Sequence, residues 1–297
     1  MNALTFFRTL TPTRVGVGQA AGIIDQPVMR EAATRWPIIP GSSLKGVLRD
    51  RAASDLVRTY ADDPDQSPAE HFSRAERELR PIFGSSDSDD PRGGSLVLSD
   101  LQCLFFPVRS FAGVYALATC PLALDELRTK TELAGLSLPV PSFTLKAPAD
   151  GSFMGMVAAD CVLKSATESQ VFIDEFRVEV SEQSSLGDFG TALEAHLGMS
   201  GRIANRLLVL EDTLFTYLCE SSTEVRTRTA LDYGIKKVKA GSLRTEEYVP
   251  SQAVFVGFAM GVAVASNFDL AQIGDLQVGA NASVGAGYGK FKVVLPK

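Results

Sequence analysis

Residues 37–50, Pro-Ile-Ile-Pro-Gly-Ser-Ser-Leu-Lys-Gly-Val-Leu-Arg-Asp, constrain this chain more than any other stretch. Pro40 and Gly41 are turn residues, Ser42 or Ser43 can cap the first free N–H groups of a helix, and an apolar ladder starts at once. Leu44, Leu48, Ala52, Leu56 and Tyr60 recur at i+4, with Val47, Ala53 and Val57 widening the stripe, while Lys45, Arg49 and Asp50 fall off it. The spacing predicts a helix with one packed face and one charged face. A glycine turn feeding a helix start, with Lys45 and Arg49 one turn apart, suits a phosphate, because terminal N–H groups and the helix dipole both favour an anion. The same pattern also describes a capped core helix with no ligand. It is not a P-loop, since Lys45 precedes Gly46 and the G-x-x-x-x-G-K-[ST] spacing is absent.

The 297 residues, 45% hydrophobic and 22% charged, suffice for a sizeable core in one large domain or two joined ones. The longest nearly unbroken apolar run, 253–265, is too short to span a bilayer and alternates Gly257, Ala259 and Gly261, so it reads as a buried strand. Residues 4–7 are followed at once by Arg8 and Thr9, unlike a secretory signal. A cytoplasmic protein with no membrane partner is expected. Cys103, Cys120, Cys161 and Cys219 are scattered without C-x-x-C spacing, which predicts buried free thiols. His71 and His196 are the only histidines and stand in surface-like contexts, which argues against a His-rich metal site or a Ser-His-Asp triad.

A net charge of −6 excludes a uniformly basic nucleic-acid binder, but the charge is uneven. Residues 1–51 carry seven Lys/Arg against three acids, and residues 222–244 carry six against two. Residues 52–100 reverse the balance, with five bases against eleven acids. Such a chain can hold a polyanion on one surface and repel it from another.

Along the chain, strands are expected at 3–10, 95–108, 113–119, 153–163, 171–180 and 253–265, and helices at 70–79, 121–133, 186–197 and 212–220 besides the one from residue 41. Insertions fall near 61–94, 134–151 and 222–250. Asp87, Asp89 and Asp90 imitate a cation loop, but the EF-hand spacing fails. The proline-rich stretch 134–151 reads as a long loop that moves when no partner is bound, and 224–249 as a protruding hairpin with a Lys-rich centre. Small residues at 15–22 lead to Asp25, a lone carboxylate before Pro27 that is compatible with a turn role or a chemical one. The loop 279–289 is not a dinucleotide fingerprint, because its glycines precede a strand.

Several of these segments together resemble the RAMP superfamily of CRISPR effector proteins: Leu-Thr-Pro-x-x-Val-Gly-x-Gly at 10–18, Ile-Asp-Gln-Pro at 24–27, Ile-Pro-Gly-Ser-Ser-Leu-Lys-Gly at 39–46 and the C-terminal glycine loop. Narrower matches, at Phe-Pro-Val-Arg-Ser 106–110, Thr-Cys-Pro 119–121, Thr-Arg-Thr 227–229 and Glu-Glu-Tyr-Val-Pro 246–250, resemble the repeated backbone subunit of the type III-B (Cmr) complex. The resemblance implies an α+β fold, a modified ferredoxin-like (RRM-like) palm with inserted loops and a β-hairpin thumb, in a single domain. It implies partners: guide CRISPR RNA, target single-stranded RNA, copies of the chain and other subunits of the complex. It further implies cleavage of the paired target at regular intervals with a divalent metal ion, Mg or Mn. The family's cleavage residue falls on Asp25, which either holds the metal or helps deprotonate a 2′-hydroxyl, and Glu246 and Tyr248 match a segment near the cut. Gly41, Ser42, Ser43 and Lys45, with Gly285 and Gly287, match guide-contacting elements, and Arg14, Arg49 and Arg228 join them as candidate RNA contacts. Many members carry histidine where this chain has Arg14, so no histidine base carries over.

Overall fold

The computed structural model describes all residues except 1, 19–21, 61–66, 86–90, 146–150, 165–168, 200, 262–267 and 297. The strands are β1 (Ala3–Thr9), β2 (Ile38–Ile39), β3 (Val97–Leu98), β4 (Leu101–Arg109), β5 (Tyr115–Thr119), β6 (Phe153–Val157), β7 (Gln170–Ile173), β8 (Phe176–Glu182), β9 (Leu207–Leu210), β10 (Glu224–Arg228), β11 (Leu231–Asp232), β12 (Lys237–Val238), β13 (Arg244–Tyr248), β14 (Val254–Met260), β15 (Asp275–Gln277) and β16 (Tyr288–Val294). The α-helices are α1 (Gly41–Tyr60), α2 (Pro68–Phe83), α3 (Pro121–Leu133), α4 (Ser184–Leu197) and α5 (Asp212–Ser221).

Alternation in β1 divides the molecule. Ala3 and Phe7 join one apolar cluster, Leu4 and Phe6 the other, and the strand is buried on both faces as a central strand must be. It pairs antiparallel with β14 and β16, inside a sheet ordered β15-β16-β1-β14-β4-β5-β9-β6-β8-β7. Helices α1, α2 and α5 pack on the Phe7 side, whereas α4 and the buried leucines Leu124 and Leu127 of α3 pack on the Phe6 side. The long strand β4 carries the sheet across its middle: one end pairs with β14 and the other with β5. There Leu104 and Phe105 fall into the same cluster although adjacent, because the register with β14 slips between Val254 and Phe255. Such a bulge re-phases the strand so that Phe106 and Val108 return to the other face.

The predicted helix from residue 41 is α1, and Leu44, Leu48, Ala52, Ala53 and Leu56 form its buried stripe. Its capping differs from expectation. Ser42 and Ser43 lie inside the first turn, and the Gly41 N–H donates to Asp100 Oδ1 at 2.8 Å, so a carboxylate from a distant turn takes the place assigned to a serine. A Cβ on Gly41 would stand 2.5 Å from the Leu98 carbonyl oxygen, so glycine there is what lets this turn lie on the helix start.

Helix α2 extends beyond the predicted 70–79, because Ser67 and Glu70 form a reciprocal capping box. His71 on it is buried, with its ring 6.1 Å from that of Tyr60, rather than on the surface. The stretch predicted as one strand at 171–180 is a hairpin, β7 and β8, turning at Asp174 with φ 44°. Segment 134–145 has no regular structure, yet it is pinned: Leu136, Leu138, Val140, Phe143 and Leu145 pack against the core, and Arg128 donates to the Pro141 carbonyl at 3.0 Å. Cys103, Cys120 and Cys219 are buried free thiols as expected, and Cys161 is half-buried. The candidate cation loop Asp87–Asp90 and the end of the 253–265 run lie outside the described residues. Among the described residues no helix is long and apolar enough to cross a membrane.

Candidate active site

Four segments far apart in sequence converge beside β13. Thr13 exchanges two backbone hydrogen bonds of 2.9 Å with Val249, just past the strand. Gln26 lies parallel to Glu246, with its N–H donating to the Thr245 carbonyl at 3.1 Å and its carbonyl accepting from Glu247 at 3.0 Å. The glycine loop closes the other side: Ala280 N–H reaches the Arg14 carbonyl at 2.9 Å and Gly287 N–H the Pro12 carbonyl at 3.0 Å. Strand β13 itself pairs with β10, forming the base of the hairpin that the Lys-rich segment predicted. Beyond that base, β11 and β12 make a short second ladder, and Tyr233 at the turn is 96% exposed.

Successive residues of a strand point to opposite faces, and β13 uses both. From one face Thr245 meets Asp25. The Asp25 Oδ2 accepts the Thr245 backbone N–H at 2.7 Å and its hydroxyl at 3.0 Å, while the Asp25 N–H donates back to that hydroxyl at 3.0 Å. The backbone N–H first, and then the hydroxyl, hold the exposed Asp25 carboxyl below the ordinary carboxylate range. On the same face Glu247 is a clamp. Its Oε2 accepts the Val28 N–H at 2.9 Å, and its Oε1 accepts Arg30 Nη2 at 2.5 Å and the Thr223 hydroxyl at 2.9 Å.

The opposite face carries Glu246, fully buried, between Arg244 and Tyr248. Its carboxylate receives Arg228 Nε at 2.7 Å, Arg244 Nε at 3.0 Å, the Tyr248 hydroxyl at 2.6 Å and the Asn281 amide at 2.9 Å. Burial alone would raise the Glu246 pKa, but the Tyr248 and Arg244 hydrogen bonds and the charges of Arg228 and Arg14 outweigh it and hold the pKa low. Tyr248 is also fully buried, with its hydroxyl accepting from Arg228 and Asn281 and the Arg226 guanidinium over its ring at 4.9 Å. Of the three candidate catalytic side chains, Asp25 therefore faces solvent, and Glu246 and Tyr248 form a buried hydrogen-bonded hub on the other face of β13. Arg14 is 8% exposed, and its Nε has no partner among the described residues.

The remaining candidates divide. Gly287 is buried, with φ 82°, and a Cβ there would run into the Val278 carbonyl; Gly285 is exposed, with φ 83° and open space around it. Only the second stands open to a ligand, and its N–H already donates to the Ala282 carbonyl at 3.0 Å. At the α1 start, a separate place, Lys45 Nζ already donates to the Leu96 carbonyl at 2.9 Å and Arg49 pairs with Glu76 at 3.0 Å. Among the described residues no three His, Cys, Asp or Glu side chains gather as a metal site. A protein-built cage does not fit, whereas a single carboxylate such as Asp25 does fit Mg of the kind held by one or two carboxylates plus substrate phosphates.

The RAMP superfamily model matches residues 6–292. The chain belongs to the RAMP superfamily. This RAMP protein is 32% identical over 299 residues to the CRISPR system Cmr endoribonuclease Cmr4 of Pyrococcus furiosus, covering 95% of the chain and 92% of the relative. It shares 37% identity over 100 residues, 31% of the chain and 38% of the relative, with the CRISPR system Cms endoribonuclease Csm3 of Mycobacterium tuberculosis. Its fold matches oligomeric Cmr4 from Pyrococcus furiosus with a TM-score of 0.67 at 28% identity, covering 99% and 97% of the two chains. A chain of the Type III-B Cmr-beta bound to cognate target RNA has the same fold, with a TM-score of 0.71 at 19% identity over 99% and 97%. The mixed α+β architecture with its large mixed sheet is thus that of the RAMP fold.

Two residues of the RAMP protein's site, Thr245 and Asn281, escaped sequence reasoning. Thr245 directly precedes the Glu-Glu-Tyr-Val-Pro match, and Asn281 is the residue of the glycine loop with a carboxamide to offer and a left-handed backbone, φ 66°, that asparagine tolerates.

Proposed function

We propose that this chain is a backbone subunit of a type III-B CRISPR effector, binding guide RNA in repeated copies and cleaving the paired target RNA at regular intervals. The observation that carries the reading is the exposed Asp25 carboxylate, ionised and fixed by Thr245, beside a strand whose other face gathers Arg14, Arg228 and Arg244. Arginines and exposed backbone, such as that of Gly285, bind phosphates without reading bases, which is what a protein following any guide sequence needs. Sequence choice then belongs to base pairing.

A carboxylate held at low pKa is a weak base, so Asp25 serves better as a fixed negative charge that orients the attacking 2′-hydroxyl or a cation than as a proton acceptor. Asp25 would be the residue that holds a Mg or Mn ion, which would neutralise charge developing at the scissile phosphate. Glu246 and Tyr248 contribute by holding Arg228 and Asn281 in place on the other face of β13 from that carboxylate. The helix start at Gly41, Ser42 and Ser43 is a second phosphate contact in this reading, with RNA replacing Asp100 on the Gly41 N–H, Leu96 on Lys45 and Glu76 on Arg49.

The antiparallel order β16-β1-β14-β4, with α1 crossing between β1 and β4, supports reading this part of the sheet as a ferredoxin-like (RRM-like) palm. The departure is the second crossover, which among the described residues holds 3₁₀ turns and β15 rather than an α-helix. The β10–β13 hairpin is the thumb, and copies following an RNA strand repeat head to tail without closing. The test is to assemble the chain with the other type III-B subunits, guide RNA and complementary labelled target. Products at a constant spacing are expected, and an intact target at saturating complex and divalent ion would overturn the reading.

A further inference from the structure

We propose that Thr245 is a positioning residue for the cleavage step, its hydroxyl fixing the direction in which the Asp25 carboxylate points; the proposal rests on the catalytic reading of Asp25. The two residues lie 220 positions apart, yet the Thr245 hydroxyl meets both ends of Asp25, accepting from its N–H and donating to Oδ2, each at 3.0 Å. Together with the Thr245 N–H on Oδ2 at 2.7 Å, this encloses the side chain in a small hydrogen-bonded ring. An exposed aspartate without such a ring samples several rotamers. The surroundings offer little else, since Ile23 in the same turn is 99% exposed and gives Asp25 no packing wall.

The hydroxyl is separable from the fold. Residues 26–28 are held to β13 by the backbone bonds of Gln26 to Thr245 and Glu247, and by the Glu247 carboxylate on the Val28 N–H. None of these uses Thr245 Oγ1. Losing the hydroxyl therefore leaves residues 26–28 docked and the strand paired, releases the Asp25 N–H to solvent, and leaves the carboxylate one bond to Oδ2 with freedom to turn. Misplacement of a reacting group on that scale costs up to about 10²-fold in rate.

The test uses the assembled ribonucleoprotein with guide RNA and complementary target, carrying Thr245→Val, Thr245→Ser, Asp25→Asn or Asp25→Asn with Thr245→Val. Thr245→Val is expected to cut about tenfold more slowly at saturating target, with the dissociation constant for target within about twofold of wild type. Thr245→Ser is expected to restore the rate to within about twofold, and Thr245→Val is expected to add no further loss to Asp25→Asn. A wild-type rate for Thr245→Val, or a loss that serine does not rescue, overturns the positioning role. Full cutting by Asp25→Asn would instead overturn the catalytic reading beneath it, so the two failures are told apart.

Discussion

Glu246 Oε2 and the Asn281 side-chain amide, 35 positions apart, are joined by a 2.9 Å hydrogen bond that ties the base of the hairpin to the glycine loop. Because the same carboxylate also receives Arg228, Arg244 and Tyr248, one buried side chain sets the relative position of three elements. Hydrogen bonds to a charged group contribute about 1.5–3 kcal/mol each, and removing their shared acceptor leaves the buried Tyr248 hydroxyl without one, while Arg228 and Arg244 are partly exposed and can turn to water. Glu246→Ala should lower stability by roughly 3 kcal/mol in chemical denaturation. Cleavage lost with stability unchanged would show that Glu246 acts in the chemistry itself.

Asp25→Asn should retain assembly and guide-directed target binding while cleavage falls about 10²-fold or more in single-turnover measurements. Retained cutting with the normal spacing would return Asp25 to a turn role.

The pH dependence has a definite sign. Asp25 is held below its unfolded value of about 3.9 by the Thr245 N–H and hydroxyl, so its contribution to stability is present above that value and is lost as pH falls through the lower folded one. Cleavage rates should accordingly show no acid limb from this group between neutral pH and roughly pH 4. A wild-type limb near pH 6 that vanishes in Asp25→Asn would contradict the low pKa.

The two glycines of the loop should separate. Gly287→Ala meets both a positive φ and the Val278 carbonyl, whereas Gly285→Ala meets the positive φ alone. The first should destabilise by several kcal/mol and the second by about 1–2 kcal/mol, while Gly285→Ala weakens RNA binding with the fold intact. Thermal melts and RNA titrations side by side give both readouts.

Salt titrations discriminate among the basic residues. Arg228→Ala should lower the slope of log K against log salt by about 1, equally for unrelated RNA sequences. Lys45→Ala should change the slope only if RNA displaces the Leu96 carbonyl from Lys45 Nζ, so an unchanged slope would remove the α1 start from the RNA path.

Much of this architecture is legible in local pattern. Helices α1 and α3 follow from an apolar stripe and from a proline in the first turn, and β1 from a short apolar, aromatic run that ends before Thr-Pro. Strand β9 is Leu-Leu-Val-Leu, buried throughout, and a four-residue run with no period gives nothing to read. Asp100 on Gly41 was equally hidden, because a cap supplied from 59 positions away has no local signature. At the site, Asp25, Glu246 and Tyr248 enter the sequence reading one by one through the family resemblance, as candidates. What the chain order conceals is the strand phase: residues 244, 246 and 248 share one face and 245 and 247 the other, so the neighbours Thr245 and Glu246 serve opposite sides of β13.

The 220-residue separation of Asp25 from Thr245 also has a temporal meaning. On a ribosome adding about 5–20 residues per second, the anchor for this carboxylate is made roughly 10–45 s after the carboxylate itself. Throughout that interval the N-terminal part of the chain carries its acidic group without the strand that aims it. On the role proposed for Asp25, an aimed carboxylate exists only once residue 245 has been translated, and cutting then waits on assembly with guide RNA.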